Sequence, residues 1–253
     1  MQRRTLIVGN WKMHKTIAQA RDLVRALLDD TSWQHPDVDV AIAPPFTALA
    51  AVAAELAGSD QPLLGAQTMH WSDQGAYTGE ISPVMLLEVG CTYVILGHSE
   101  QRANCGETDA TVNLKVRSAL AHGITPIVAV GESLEEHEAG HAKKRVTQQI
   151  LGAFDGVDAN GRKRCVLAYE PIWAIGSGLS EDPSAANEVM AEIRAIDAAF
   201  NGVPILYGGS MKPNNVASLV AQPNIDGGLV GGASLDAQIF TELIRNARPA
   251  VAA

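Results

Sequence analysis

The sequence has few cysteines and no cysteine pattern typical of a metal site. Its 253 residues include three cysteines, Cys91, Cys105 and Cys165, which are widely spaced and form no Cys-x-x-Cys or cysteine–histidine pattern. An odd number of scattered cysteines also argues against a disulfide framework. We therefore expect reduced thiols, most of them in the core.

Long apolar runs and basic clusters are absent as well. No stretch approaches the roughly 18 consecutive apolar residues of a membrane span, and the opening MQRRTLIVGN lacks the features of a signal peptide. Nineteen Lys and Arg against 28 Asp and Glu give a net charge of −9, without a run of cations able to neutralise successive phosphates. We expect a cytoplasmic protein with neither a membrane nor a nucleic-acid partner.

What the sequence does contain is a series of short β-rich runs that alternate with helical patterns. The runs cover residues 5–10, 38–44, 62–67, 92–98, 124–132, 164–170, 204–209 and 226–232. They are nearly continuous in apolar residues, as in parallel strands covered on both faces. Each unit takes about 32 residues, the size of a βαβ step. We expect one domain over residues 1–253, an α/β protein with a closed (β/α)8 barrel; an open doubly wound sheet is the alternative.

Helix-start signals separate the strands. Thr16 and Gln19 form a capping-box pattern, and Pro83, Pro183 and Pro213 each follow a polar residue where a first helical turn tolerates proline. These signals predict helices that begin near each of the four sites.

The active site of such a barrel lies at the carboxyl ends of its strands, so the residues that follow each run are the candidates. Glu170 precedes an apolar segment, and burial there would raise its basicity for proton abstraction. His98 lies at a strand-to-helix junction, where a neutral ring could donate a hydrogen bond. Asn10 and Lys12 follow the first run, and Lys12 could attract a phosphorylated anion. The alternatives are an ion-paired rim glutamate, a packing histidine and a solvated lysine, and we treat the other six histidines as surface or packing residues.

Two glycine pairs suggest an anion site. They occur in YGGS at 207–210, which ends in Ser210, and in VGGAS at 230–234, which contains Gly231 and Gly232. Glycine lets backbone N–H groups approach a phosphate, and phosphate sites are frequent in the last two loops of eightfold barrels. Gly176 would add a third donor. Neither a dinucleotide fingerprint nor a P-loop motif is present.

Several motifs along the chain together resemble the triosephosphate isomerase family. They are GNWKMHK (9–15), GAYTGE (75–80), YVILGHSEQR (93–102), GETD (106–109), AYEPIWAIGSG (168–178), YGGSMKPNN (207–215) and LVGGASL (229–235). The resemblance implies a TIM barrel that interconverts dihydroxyacetone phosphate and D-glyceraldehyde 3-phosphate in glycolysis and gluconeogenesis. It implies neither a metal nor an organic cofactor.

The resemblance also implies a role for each candidate. Glu170 would move the proton, neutral His98 would polarise the carbonyl, and Lys12 with Asn10 would hold the substrate and stabilise the enediolate. Gly176 would belong to a closing lid. The phosphate would be bound by Gly176, Ser210, Gly231 and Gly232.

A homodimer is a further implication. In the family the loop that corresponds to residues 70–80 inserts into the partner, which would place Thr78 at its tip and Tyr77 and Gly79 in the interface.

Two other functions stay open from the residues alone. One is a different phosphosugar enzyme, such as an aldolase that uses Lys12 covalently, and the other is a barrel that binds metabolites or a partner without turnover.

Overall fold

The computed structural model describes residues 3–175 and 181–248. Within these residues eight parallel strands pair in sequence order and close into a barrel. The strands are β1 (Thr5–Asn10), β2 (Val38–Ala43), β3 (Leu63–Ala66), β4 (Tyr93–Leu96), β5 (Thr125–Val130), β6 (Val166–Tyr169), β7 (Ile205–Tyr207) and β8 (Gly227–Val230). Each lies within one of the predicted runs, so the closed (β/α)8 barrel is confirmed and the open sheet is wrong.

Helices follow the strands around the barrel. The α-helices of the described residues are α1 (Ile17–Asp29), α2 (Phe46–Glu55), α3 (Pro83–Glu88), α4 (Ser99–Cys105), α5 (Asp109–His122), α6 (Leu134–Glu138), α7 (Ala142–Ala153), α8 (Ala159–Arg162), α9 (Pro183–Ala195), α10 (Val216–Val220) and α11 (Ala237–Asn246). The capping box of Thr16 and Gln19 is formed, and Pro83 and Pro183 begin their helices as predicted. The prediction for Pro213 is wrong, because this proline lies in a turn and α10 begins at Val216.

The strands divide their side chains between two apolar layers. Leu6 and Val8 of β1 belong to a buried cluster made of strand residues alone, which fills the barrel, whereas Ile7 belongs to the cluster shared with the helices. This alternation follows from the two-residue period of a strand. Because apolar side chains cover both faces of the strands, the polar side chains of the strands lie at the strand ends.

An ion-pair network fastens β8 next to β1. The carboxylate of Asp226, just before β8, accepts hydrogen bonds from Arg194 of α9 at 2.6 Å and from Arg3 at 2.6 Å. It also accepts the backbone N–H of Ile205 at 2.9 Å. Asp226 and Arg194 are both buried, so each needs the other to offset the cost of removing a charge from water.

Two of the three free cysteines among the described residues lie at buried positions, where a thiol does not react readily. Cys91 and Cys165 are buried, as the sequence predicts, whereas Cys105 is exposed at the end of α4. Over the part of the chain that the structure describes, none of the helices has both the length and the apolar character needed to cross a membrane.

Candidate active site

The predicted site residues surround one cavity at the carboxyl ends of the strands. The cavity has a volume of about 870 Å³. Its lining includes Asn10, Lys12, His98, Ser210, Gly231 and Gly232. Glu170 lies directly behind His98 and is 2% exposed. Gly176 lies outside the described residues. Residues from the first, fourth, sixth, seventh and eighth strand ends therefore converge, although they are far apart in sequence.

Glu170 is held by contacts from three directions. Its backbone N–H donates to the carbonyl of Val130 at the end of β5. Its Oε2 accepts the backbone N–H of Ser99 at 2.9 Å, and its Oε1 lies 2.9 Å from Nε2 of His98. A Cβ atom on Gly208 would come within 2.8 Å of the Glu170 Cγ, so only glycine leaves room for this placement. The carboxylate is buried, oriented and adjacent to the cavity.

The pKa of Glu170 differs from the sequence-based expectation. Burial raises the pKa, as expected, but the hydrogen bonds and charge interaction from His98 and Ser99 outweigh it and leave the pKa below its ordinary value. The expectation of raised basicity is therefore wrong for this arrangement. Hydrogen bonds donated to a carboxylate favour its charged form.

His98 occupies the N-cap of α4, as predicted from its strand-to-helix position. Its Nδ1 accepts the backbone N–H of Glu100 at 3.2 Å, so this nitrogen carries no proton and Nε2 donates to Glu170. This is the hydrogen-bonding pattern of a neutral ring. Burial lowers the pKa of His98, but the charge of Glu170 reverses the effect and leaves the pKa raised overall. The hydrogen bonds thus fit the tautomer with its proton on Nε2, which points at Glu170, while the charge of Glu170 favours protonation of the ring.

Lys12 adopts a left-handed backbone conformation at the cavity mouth, with φ of 51°. The side chain of Asn10 accepts its backbone N–H at 3.1 Å, and Gln67 donates to its carbonyl at 2.9 Å. The ammonium forms an ion pair with Glu100 at 2.6 Å. These contacts keep one cation at the rim, where it faces the cavity with Asn10.

The last two strand ends supply the glycine-rich wall. Gly231 precedes the short 3₁₀ helix Gly232–Leu235, and a Cβ on Gly231 would lie 3.5 Å from Cε of Lys12. Ser210 follows β7 on the same wall. Gly231 and the lysine thus adjoin, and Ser210 and Gly232 line the same cavity.

The predicted interface residues lie elsewhere. Tyr77, Thr78 and Gly79 are exposed and do not line the cavity. The ring of Tyr77 packs on that of His70, with centroids 3.9 Å apart, so the 70–80 loop is internally braced. His70 is buried, which agrees with its treatment as a packing residue.

Sequence reasoning missed three residues behind the site. Glu132 ends the fifth predicted run just as Glu170 ends the sixth, but it is not among the predicted site residues. His137, which the sequence analysis treats as a surface or packing residue, lies against Glu132, with its Nδ1 3.5 Å from the carboxylate. Glu181 had no sequence signal, because its neighbours come from distant strands. Within residues 3–175 and 181–248, no group of three or more His, Cys, Asp or Glu side chains is arranged to hold a metal ion.

Comparison with known proteins agrees with this geometry. The family model described as triosephosphate isomerase matches residues 5–247. Proteins named triosephosphate isomerase include one from Chloroflexus aurantiacus, 52% identical over 246 residues, which cover 94% of this chain and 97% of the relative. Another, from Herpetosiphon aurantiacus, is 49% identical over 249 residues, covering 96% and 99% of the two chains.

The chain belongs to the triosephosphate isomerase family. The resemblance first seen in the motifs is thus confirmed over nearly the whole chain. Membership in the triosephosphate isomerase family also makes the chain an enzyme, so a barrel that binds without turnover is not supported. The individual roles of the site residues rest on the geometry above.

Proposed function

We propose that Glu170, His98, Lys12 and Asn10 carry out the interconversion of dihydroxyacetone phosphate and D-glyceraldehyde 3-phosphate, the reaction of the triosephosphate isomerase family in glycolysis and gluconeogenesis. The observation that carries this proposal is the 2.9 Å contact between the Glu170 carboxylate and the His98 ring. A proton acceptor and a proton donor at this spacing can act on neighbouring atoms of one small substrate.

The reaction moves one proton between adjacent carbons. Glu170 takes a proton from the carbon next to the carbonyl, and the C–H electron pair forms the enediolate double bond while the carbonyl oxygen gains negative charge. His98 donates its Nε2–H toward that oxygen, and Lys12 and Asn10 stabilise the charge. Glu170 then returns its proton to the other carbon, while the hydroxyl proton of the first carbon passes to the former carbonyl oxygen by way of His98, so no atom is gained or lost.

Substrate binding increases the basicity of Glu170 in this scheme. When Nε2 of His98 turns to a substrate oxygen, Glu170 loses its contact with His98, whose charge interaction and hydrogen bond are the main influences that lower its pKa. Burial remains and raises the pKa toward neutral pH. The contact with His98 therefore keeps the Glu170 carboxylate charged and oriented until the substrate accepts the hydrogen bond from His98 instead.

The phosphate is assigned to the glycine-rich wall. Ser210, Gly231 and Gly232 line the cavity beside Lys12, which supports binding of the anionic end of a triose there. Gly176 belongs to the same proposal and lies outside the described residues. An anchored phosphate keeps the reacting carbons at Glu170, and such positioning is a major source of rate acceleration.

We also propose a cytoplasmic homodimer formed through the 70–80 loop, with Thr78 at the tip and Tyr77 and Gly79 in the interface. Exposed apolar side chains support an interface, since Met13 is 94% exposed and Tyr77 is 47% exposed. Light scattering should give a dimer mass for the wild type and a monomer mass for Tyr77→Lys. Leu151→Lys, at a 60% exposed site on α7, is the control and should stay dimeric.

An assay with both triose phosphates, together with two matched substitutions, tests the catalytic proposal. Glu170→Asp retracts the carboxylate, and a misplacement of about 1 Å lowers kcat on the order of 10²-fold. Glu135→Asp on the exposed face of α6 is the control and should leave kcat unchanged. Equal kcat values for the two variants would remove Glu170 from the mechanism. Borohydride with dihydroxyacetone phosphate should trap no Lys12 adduct, whereas an aldolase mechanism requires one.

A further inference from the structure

A buried ion pair lies next to the backbone that leads into His98 and takes no part in the proposed proton transfer. It joins Glu107, between α4 and α5, to Lys115 of α5. The two side chains are 2% and 10% exposed, and Nζ of Lys115 lies 2.5 Å from Oε1 of Glu107. A buried pair offsets the cost of removing its charges from water only when its remaining hydrogen-bonding atoms have partners as well. The other contacts of these side chains are therefore informative.

The second oxygen of Glu107 holds the residue before His98. Its Oε2 accepts the backbone N–H of Gly97 at 2.8 Å in a buried contact. On the other side of the same glycine, the carbonyl of Gly97 accepts a hydrogen bond from Nε of Arg102 at 2.8 Å. Hydrogen bonds that involve a charged group are about twice as strong as neutral ones. Two charged side chains therefore fix the peptide units before and after Gly97.

Gly97 adopts a backbone conformation that favours glycine. Its φ is 75°, in the left-handed region. A Cβ atom there would lie 2.9 Å from the carbonyl oxygen of Ala129 and 2.9 Å from Nη2 of Arg102. Glycine also has the widest choice of backbone conformations, so its own preferences do not keep the chain in this one. The hydrogen bonds with Glu107 and Arg102 select the conformation, and with it the direction in which the chain enters His98.

The orientation of the His98 ring depends on that direction. Its Nδ1 accepts the N–H of Glu100 at 3.2 Å, and its Nε2 lies 2.9 Å from Oε1 of Glu170. Hydrogen bonds weaken steeply when their angles depart from the favourable range. A rotation of the peptide unit between Gly97 and His98 would turn the ring away from both partners. It would also turn the proposed donor away from the substrate oxygen.

The helix α5 holds both Glu107 and Arg102 in place. Lys115, which pairs with Glu107, lies in the middle of this helix. Nη1 of Arg102 lies 2.6 Å from a carboxylate oxygen of Asp109, the first residue of the same helix. One helix therefore fixes both side chains that contact the glycine.

We propose that Glu107 and Arg102 are positioning residues for the isomerisation, and that they hold the Gly97 backbone so that Nε2 of His98 points at the substrate oxygen. Lys115 is the counter-ion that keeps the Glu107 carboxylate in place. The inference rests on the proposed role of His98. Among the residues that the structure describes, those that line the cavity include neither Glu107 nor Arg102, so both act through His98.

Two pairs of variants separate positioning from stability. Arg102→Met removes the hydrogen bond to the Gly97 carbonyl, whereas its control, Asp109→Asn, removes the charge beside Arg102 and leaves that hydrogen bond. Glu107→Leu/Lys115→Met removes both buried charges and the acceptor of the Gly97 N–H. Its control, Glu107→Gln/Lys115→Met, removes the same charges but keeps an oxygen that can accept this N–H. Removing both partners avoids an uncompensated buried charge, and the first pair of variants leaves the buried ion pair intact.

The kcat should fall on the order of 10- to 10²-fold in Arg102→Met and in Glu107→Leu/Lys115→Met, because both variants misplace the donor. The KM should change little, since a donor to charge that develops in the transition state contributes mainly to kcat. Both controls should keep kcat within about fivefold of the wild type, because each retains its hydrogen bond to the glycine. Steady-state kinetics with each triose phosphate measures these values, and thermal unfolding checks that every variant is folded at the assay temperature.

The ring of His98 provides a readout that does not depend on catalysis. In protein with isotope-labelled histidine, the ring nitrogen NMR signals of His98 are identified by their loss in His98→Gln. They should shift in Arg102→Met and in Glu107→Leu/Lys115→Met, and stay near their wild-type positions in the two controls. Unchanged ring signals, a rise in KM alone, or equal kcat values for a variant and its control would overturn the proposal. An unchanged kcat in His98→Gln would instead contradict the proposed function.

Discussion

Gly208 and Glu170 occupy adjoining space, so that a Cβ atom on Gly208 would lie 2.8 Å from the Glu170 Cγ. The glycine follows β7 and the glutamate follows β6, and the two strand ends are joined by a 2.7 Å hydrogen bond from the Gly208 N–H to the carbonyl of Tyr169. The position of the proposed base therefore depends on the absence of a side chain on the neighbouring strand.

Gly208→Ala should reduce activity without changing any group that touches the substrate chemically. The added methyl displaces the Glu170 side chain, and a shift of about 1 Å is expected to lower kcat on the order of 10²-fold. Gly202→Ala is the matched control, because its Cβ would meet no atom within 4 Å. Steady-state kinetics on both variants checks the prediction, which is wrong if they behave alike.

His98→Gln should lower kcat about 10²- to 10³-fold, because it removes the proposed ring donor from a charge that develops in the transition state. His35→Gln, next to the start of β2 and far from the cavity, should leave kcat unchanged. The comparison uses saturating substrate, so that a change in affinity alone is not mistaken for a loss of catalysis. A loss below tenfold would contradict the role assigned to His98.

Asp226→Asn should lower the free energy of unfolding by about 3–5 kcal/mol, since it leaves the buried guanidinium of Arg194 without its counter-charge. The control is Asp39→Asn, which breaks the more exposed pair with Arg4 and should cost at most about 1 kcal/mol. Urea denaturation at one protein concentration compares the two. Similar losses of unfolding free energy in the two variants would show that burial does not increase the contribution of the Asp226–Arg194 pair to stability.

One thiol of the native protein should react with a disulfide reagent at pH 8, and three should react after denaturation. Burial raises the pKa of Cys91 and Cys165 to about 12, so neither forms the reactive thiolate at this pH. Cys105 is exposed. Cys105→Ser should abolish the native reaction, and a thiol that still reacts in this variant would contradict the burial of the other two.

Position along the chain predicts most of the residues that surround the cavity. Asn10, Lys12, His98 and Glu170 were predicted because parallel strands bring their carboxyl ends together, whatever the distance in sequence. The strand boundaries followed from the same runs of buried residues. For these features a local pattern determines the result.

Properties that depend on contacts between distant residues could not be predicted. The pKa of Glu170 is lowered by His98 and Ser99, which lie about 70 positions earlier in the chain, whereas the sequence showed only the apolar segment beside it. Similarly, Glu132 accepts hydrogen bonds from Tyr169 and Trp173, which lie about 40 positions later in the chain. The proline pattern placed the start of α10 too early, at Pro213, because proline is as compatible with a turn as with the first turn of a helix.

Because β1 pairs with β8, the cavity depends on residues made at both ends of chain synthesis. Lys12 is made near the beginning of the chain and Gly231 near its end, yet the two are neighbours in the cavity. A nascent chain on the ribosome therefore has its candidate base and donor long before it has the wall beside its lysine. The cavity can be complete only after the final strand has left the exit tunnel and closed the ring.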